Sequence, residues 1–156
     1  MHTTSKAGVL YLIRGISGCG KSTLAQELSN LYTGAGKTVV WIEADKFLYT
    51  ESGDYVWTVG RVIEAHRQAY LQAKQAFKDG VQVIIVSNQS IREQDMTDFL
   101  EFAKEFDYTV VRFVVENMHG DLNGKHGVQD DQAKEAARVI RSNIRLLPQR
   151  MKNDTQ

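Results

Sequence analysis

From Gly15 to Ser22 the chain reads GISGCGKS, so that Gly15, Gly20, Lys21 and Ser22 fill every fixed position of the pattern GxxxxGK[ST]. Glycines at those places let the backbone curl tightly, with positive φ available, so that successive N–H groups face inward and can hold phosphate oxygens. Lys21 then reaches the β- and γ-phosphates of a nucleoside triphosphate, and Ser22 offers its hydroxyl to Mg²⁺. A helix starting here turns its positive dipole end toward the same anion. The expected nucleotide contacts are therefore Gly15, Ser17, Gly18, Cys19, Gly20, Lys21, Ser22 and Thr23, with Ser22 also the metal contact. Cys19 occupies a free position of the pattern and reads as a tolerated small residue.

Four further groups have chemistry to offer. Asp45 follows the apolar run Thr38–Ile42, where its carboxylate can orient and deprotonate an attacking hydroxyl; the plainer alternative is a cap or turn residue before Lys46 and Phe47. Ser87-Asn88-Gln89-Ser90 follows another apolar run, at the place where many phosphate-loop enzymes carry an aspartate that helps hold Mg²⁺. Here that acid is missing, and the polar residues either bond substrate or a metal-bound water or form an ordinary turn. Lys134, Arg138, Arg141 and Arg145 fall on one face of a helix, opposite Ala133, Ala137, Ile140, Ile144 and Leu147. That is a solvated face over an apolar stripe, with a track for phosphates as the sharper alternative. Lys125 and His126 are weaker candidates for clamping a transferred phosphoryl group.

The elements that must position these groups follow from periodicity. Val9–Ile13 is a short buried strand directly before the glycine loop, and Ser22–Leu31, with leucines at 24, 28 and 31, is the helix directly after it. Thr38–Ile42 is a second strand, ending on Glu43, Ala44 and Asp45. A helix is expected over 59–78, with Val59, Val62, Ile63, Tyr70 and Phe77 among its apolar positions and Asp79-Gly80 closing it. Val81–Val86 and Tyr108–Val115 are the third and fourth strands, with a helix over 93–106 between them. A last helix runs over 130–146 and stops before Pro148. Strict β, α alternation implies an α/β fold, a mainly four-stranded parallel sheet sandwiched between helices, with ligands outside the carboxyl ends of its strands. The glycine loop, Asp45 and Ser87–Ser90 should converge there. Residues 116–130, polar and glycine-containing, read as a short lid or loop, and residues 1–7 and 149–156 as poorly ordered ends.

A length of 156 residues suits one domain with a full core. Nineteen acidic and nineteen basic residues cancel, which argues against a general basic surface for nucleic acid and leaves room only for local contacts, such as a single-stranded or exposed end. No apolar run approaches membrane-spanning length, the N-terminal residues lack the apolar core of a secretion signal, and the lone cysteine makes no internal disulfide. A cytosolic protein without membrane contact is expected.

The ordered set LIRGISGCGKSTLAQEL, EADKF, VIEAHRQAY, DGVQVIIVSNQS and FAKEFDYTVVRFVV resembles the polynucleotide-kinase-like group of P-loop kinases, the group of phage-type 5′-hydroxyl kinases. The likeness includes Arg14 before the loop, Ala44-Asp45, Ala65-His66 and an Asn123–Val128 stretch, NGKHGV, in the lid. It implies ATP- and Mg²⁺-dependent transfer of the γ-phosphate to a hydroxyl, most characteristically a polynucleotide 5′-hydroxyl, with Asp45 as general base and Lys21 and Ser22 at the phosphates and metal. Three positions depart from the pattern: Ser87 stands for the third-strand aspartate, Leu48 for a substrate-orienting arginine, and the lid has no evident arginine. Lys46, Lys125 or a residue of the last helix such as Arg138 could substitute, although a lysine does not reproduce the bidentate fork of an arginine. Small-molecule kinases of the gluconate, shikimate or adenylyl-sulfate type share the loop and the size, and a nucleotide-binding module without turnover is the non-enzyme alternative.

Overall fold

The computed structural model of the chain describes residues 6–116 and 130–143. In chain order these form β1 (Gly8–Arg14), α1 (Lys21–Gly34), β2 (Val39–Ile42), a 3-10 turn (Ala44–Leu48), α2 (Val59–Lys78), β3 (Val83–Val86), a second 3-10 turn (Glu93–Met96) running into α3 (Thr97–Glu105), β4 (Tyr108–Val114) and α4 (Asp130–Ser142). The four strands make one sheet in the order β2-β3-β1-β4, every pair parallel. This is the expected α/β sandwich.

Alternation along the central strand sets the layers. Leu10 and Leu12 of β1, with Ile84 and Val86 of β3, face α2 and α3, while Ile13, Val83 and Ile85 face α1. All four residues of β3 are buried, as a strand covered on both faces requires. The face α2 turns to the sheet is a ladder of small residues, Ala65, Ala69, Ala73 and Ala76, ending in Phe77. Val59 and Ile63, read from the sequence as part of that helix's apolar pattern, are instead exposed, as is Leu31 on α1. Alanines at helical spacing let a helix approach a sheet closely, and their low hydrophobicity hides them beside larger residues in a periodicity count.

Several boundaries shift for local reasons. β3 begins at Val83, not Val81, because the Val81 N–H closes the end of α2 on Ala76 O (3.1 Å) and the Gln82 N–H bonds the Thr38 hydroxyl (2.9 Å). The expected helix over 93–106 starts as a 3-10 turn because the Asp95 carboxylate draws the Arg92 N–H inward at 2.9 Å. The proposed lid, apart from its end residues, and the chain ends from 144 onward lie outside the described residues.

Candidate functional site

The chain leaves β1 for β2, which lies beyond β3, and later crosses back so that β4 flanks β1 on its other side. Such a reversal opens a crevice at the carboxyl edge beside β1, where the glycine loop sits. Gly15 follows β1 directly. A Cβ there would meet Cys19 Sγ at 2.5 Å and the Val115 carbonyl oxygen at 2.7 Å, so no side chain fits. Gly20 is constrained differently: only Val115 lies within 4 Å, but its φ of +106° is reached readily by glycine alone, and it caps the start of α1. Gly18 also has positive φ and, like Thr23, is exposed, with Ser17 half-buried.

Lys21 is buried and donates to the Ile16 carbonyl at 2.8 Å, so the loop's own backbone holds the ammonium. Burial lowers its pKa, against which Cys19, Asp45 and Glu43 act to keep it charged. Both acids therefore lie close enough to be felt by the lysine. Cys19 is buried under α4, packed with Ile16 and Ile140. Of the apolar stripe expected on the last helix, Ile140 and Ala137 pack here, joined by Ala136, while Ile144 and Leu147 lie outside the described residues.

The second group gathers at the ends of β2 and β3, whose register pairs Ile42 with Val86. The next residues, Glu43 and Ser87, therefore stand side by side. The Glu43 carboxylate accepts the Ser22 hydroxyl at 3.0 and 3.1 Å and the Ser87 hydroxyl at 3.1 Å. Ser87 in turn accepts the indole N–H of Trp41 at 2.7 Å. Lys46 rests its ammonium 3.2 Å above the Trp41 ring, a cation–π contact, and burial lowers its pKa while Glu43 opposes that shift. Asp45 is half-buried in the 3-10 turn whose first N–H, on Ala44, is held by the Asn88 side-chain oxygen at 2.8 Å. In the run after β3, Ser87 and Asn88 both bond protein groups and so brace the neighbouring β2 end. Leu48, at the position of the expected arginine, is buried in the core at the end of that turn.

Arg14 is a buried brace of the same kind. It donates to Ser90 O (2.8 Å), Ile91 O (3.1 Å) and the Asn143 side chain (2.9 Å), which ties the β3 loop to α4. Ser90 is held at φ +46°, a conformation rare outside glycine. Beyond Gly15 and Ile16, a cleft of about 360 Å³ opens between the end of β4 and α4, lined by Val115, Ala137, Ile140 and Arg141 among others. Arg138, at the rim, is bonded through two nitrogens to Glu135, and Arg141 to Glu116, both pairs well exposed, as a solvated helix face would be. Lys125, His126 and Arg145 lie outside the described residues.

The loop, Asp45 and Ser87–Asn88 thus lie at one edge of the sheet, together with Glu43, which is not among the candidates read from the sequence. Its place as the first acid after β2 is the signal that the sequence offers for it.

No family model matches the chain. Over 109 residues it is 31% identical to human NEDD4-binding protein 2, a match covering 69% of this chain and 6% of that protein's length. Among solved structures, a chain of the Pnkp1/Rnl/Hen1 RNA repair complex superposes with a TM-score of 0.69 over 90% of this chain and 46% of its own, at 17% identity. The APS kinase CysC of Mycobacterium tuberculosis, in complex with AMPPNP and APS, superposes at 0.52 over 88% of this chain and 99% of its own, at 13% identity. The fold is that of the P-loop kinases. Within this P-loop kinase fold, the resemblance to polynucleotide-kinase-type chains drawn from the sequence agrees with the match to the Pnkp1-containing complex, of whose chain this one spans less than half. Among the described residues no helix is long and apolar enough to cross a membrane.

Proposed function

We propose that the chain is a kinase, one catalytic module over residues 1–156, that transfers the γ-phosphate of ATP to a hydroxyl, with a polynucleotide 5′-hydroxyl as the acceptor. The observation that carries this reading is the placement of Asp45 within electrostatic reach of Lys21 at the carboxyl edge of the sheet. A carboxylate suited to a hydroxyl acceptor and an ammonium suited to the phosphates then lie at the same edge of the sheet.

In this reading the loop amides from Ser17 to Thr23 receive the phosphates, and the Lys21 ammonium exchanges the Ile16 carbonyl for phosphate oxygens. The apolar cleft beside Gly15 and Ile140 has the size and lining to take the nucleobase. Asp45 accepts the proton of the acceptor hydroxyl as its oxygen attacks the γ-phosphorus in line and ADP departs. Mg²⁺ fits the oxygen donors here: the Ser22 hydroxyl is exposed at the start of α1, and Mg²⁺ asks for few protein ligands because it keeps several waters and binds substrate phosphates. When bound, it neutralises phosphate charge during transfer. Among the described residues no cluster of three or more His, Cys, Asp and Glu is present, so a site built from one or two protein oxygens is what the donor set supports.

The polynucleotide acceptor draws support from the match to an RNA repair complex and from the Ala44-Asp45 pair. A small-molecule acceptor is the second reading, favoured by the near-complete coverage of APS kinase chains and by the zero net charge. Incubation with γ-labelled ATP and Mg²⁺, offering a 5′-hydroxyl oligonucleotide and then sugars, nucleosides and adenylyl sulfate, decides between them. Label on the oligonucleotide supports the first reading, label on a small molecule the second, and binding of ATP without any labelled acceptor defeats both.

A further inference from the structure

The end of β3 lacks an acid, yet the site does not lack a carboxylate. β2 and β3 run in register to Ile42 and Val86, so the side chains that follow emerge at the same height on neighbouring strands. Ser87 takes the β3 place and Glu43 the β2 place. β2 lies one strand further from the glycine loop, about 4.8 Å away. Glutamate, one methylene longer than aspartate, recovers part of that distance, and its carboxylate meets the Ser22 hydroxyl with both oxygens, at 3.0 and 3.1 Å.

The protons of this network can be assigned. The Trp41 indole is a donor only, so Ser87 accepts from it and directs its own O–H to Glu43. Ser22 likewise spends its proton on Glu43, which turns the hydroxyl's free lone pairs away from the carboxylate. A hydroxyl so oriented can donate to an acid and bind a metal at once. Glu43 acts on both Lys21 and Lys46 to oppose the effect of their burial.

We infer that Glu43, projecting from the end of β2, is the metal-site carboxylate of this chain, orienting Ser22 and receiving the hydrated Mg²⁺ of MgATP in place of an acid on β3. The assignment rests on the MgATP reading of the glycine loop. Glu43 fixes the metal and touches neither the acceptor nor the transferred phosphoryl group, a division of labour from Asp45, two residues on.

The test measures ATP affinity by calorimetry with excess Mg²⁺ and again in EDTA, for the unaltered chain, Glu43→Gln, and Glu43→Gln combined with Ser87→Asp. The unaltered chain should bind more tightly with Mg²⁺. Glu43→Gln should bind ATP in EDTA at least as well as the unaltered chain, since a negative charge near the phosphates is gone, which also shows that the loop is folded. Its Mg²⁺-dependent gain should shrink on the order of 10- to 100-fold, the usual effect of losing a group that supports a metal ligand. The double variant, with an acid restored on β3, should recover much of the gain, which a merely structural role for Glu43 would not produce. Full Mg²⁺ dependence in Glu43→Gln overturns the assignment and leaves the ATP reading standing. Absence of ATP binding by the unaltered chain overturns both.

Discussion

The Asn88 side-chain oxygen accepts the backbone N–H of Ala44 at 2.8 Å, so the end of β3 holds the first residue of the turn that carries Asp45. Asn88 is itself buried and leaves this bond no solvent substitute. Removing it with Asn88→Ala strands a buried N–H, at a cost of about 1–3 kcal/mol in stability. It should also loosen Asp45 without touching the nucleotide loop. Misplacement of a reacting group by about 1 Å can lower turnover on the order of 100-fold. Turnover with labelled ATP should therefore fall while the Kd for ATP stays put; a parallel loss of both would place Asn88 in the nucleotide site.

Asp45→Asn keeps the shape of the turn and deletes the proton acceptor. General-base contributions are typically about 10²- to 10⁴-fold, and turnover should drop by that order. Affinity for ATP should be unchanged or improved, because the substitution removes a negative charge near Lys21 and the phosphates. Transfer at the original rate would show that Asp45 is only a turn residue.

Lys21 separates stability from function. Its ammonium is buried, and desolvation lowers its pKa below the ordinary 10.5. Below the folded value both states are protonated and the folded chain bears the whole desolvation cost. As pH rises from the folded value toward 10.5, the folded chain releases a proton that the unfolded chain retains, and stability increases. Lys21→Met should therefore raise the Tm of the ligand-free chain at neutral pH and abolish its share of that alkaline rise. The same substitution removes charged hydrogen bonds to phosphate, each about 1.5–3 kcal/mol, or roughly 10- to 100-fold in Kd for ATP. Thermal melts across pH, with and without ATP, check both halves; a lower Tm at neutral pH would mean that the Ile16 bond outweighs desolvation.

How much of this could be read from residues alone depended on range. The glycine loop declares itself because backbone geometry forces glycine at Gly15 and Gly20, and the strands because β3 is apolar on both faces. Asp45 stands out as a candidate by its place after a strand. The contacts of Glu43 with Ser22 and Ser87 do not, because they depend on the β2–β3 register, and strand neighbours are set by tertiary contacts that a linear pattern does not contain. The alanine ladder of α2 escaped for a related reason: small residues reveal their burial only when the sheet they approach is known. Lys46, a candidate stand-in for arginine, sits instead over the ring of Trp41 on β2, the strand that leads into its own turn.

Arg14 offers the sharpest contrast between charge and shape. Its guanidinium reaches three acceptors on two segments, Ser90 and Ile91 after β3 and Asn143 at the end of α4, and the residue is only 4% exposed. Asn143 also donates to Ile91 O at 2.9 Å, so the arginine and the asparagine close a small ring that fastens α4 beside the glycine loop. Arg14→Lys keeps the charge but cannot span those acceptors, since an ammonium lacks the planar fork. Loss of even one charge-assisted bond costs about 1.5–3 kcal/mol, and a chain of this size loses roughly 2–4 °C in Tm per kcal/mol. Because α4 forms one wall of the cleft beside Ile16, the damage should extend to nucleotide affinity. Faster amide exchange in α4 of Arg14→Lys, with β1 and β3 still protected, would locate the failure at this brace; uniform loss of protection would instead make Arg14 a determinant of global stability.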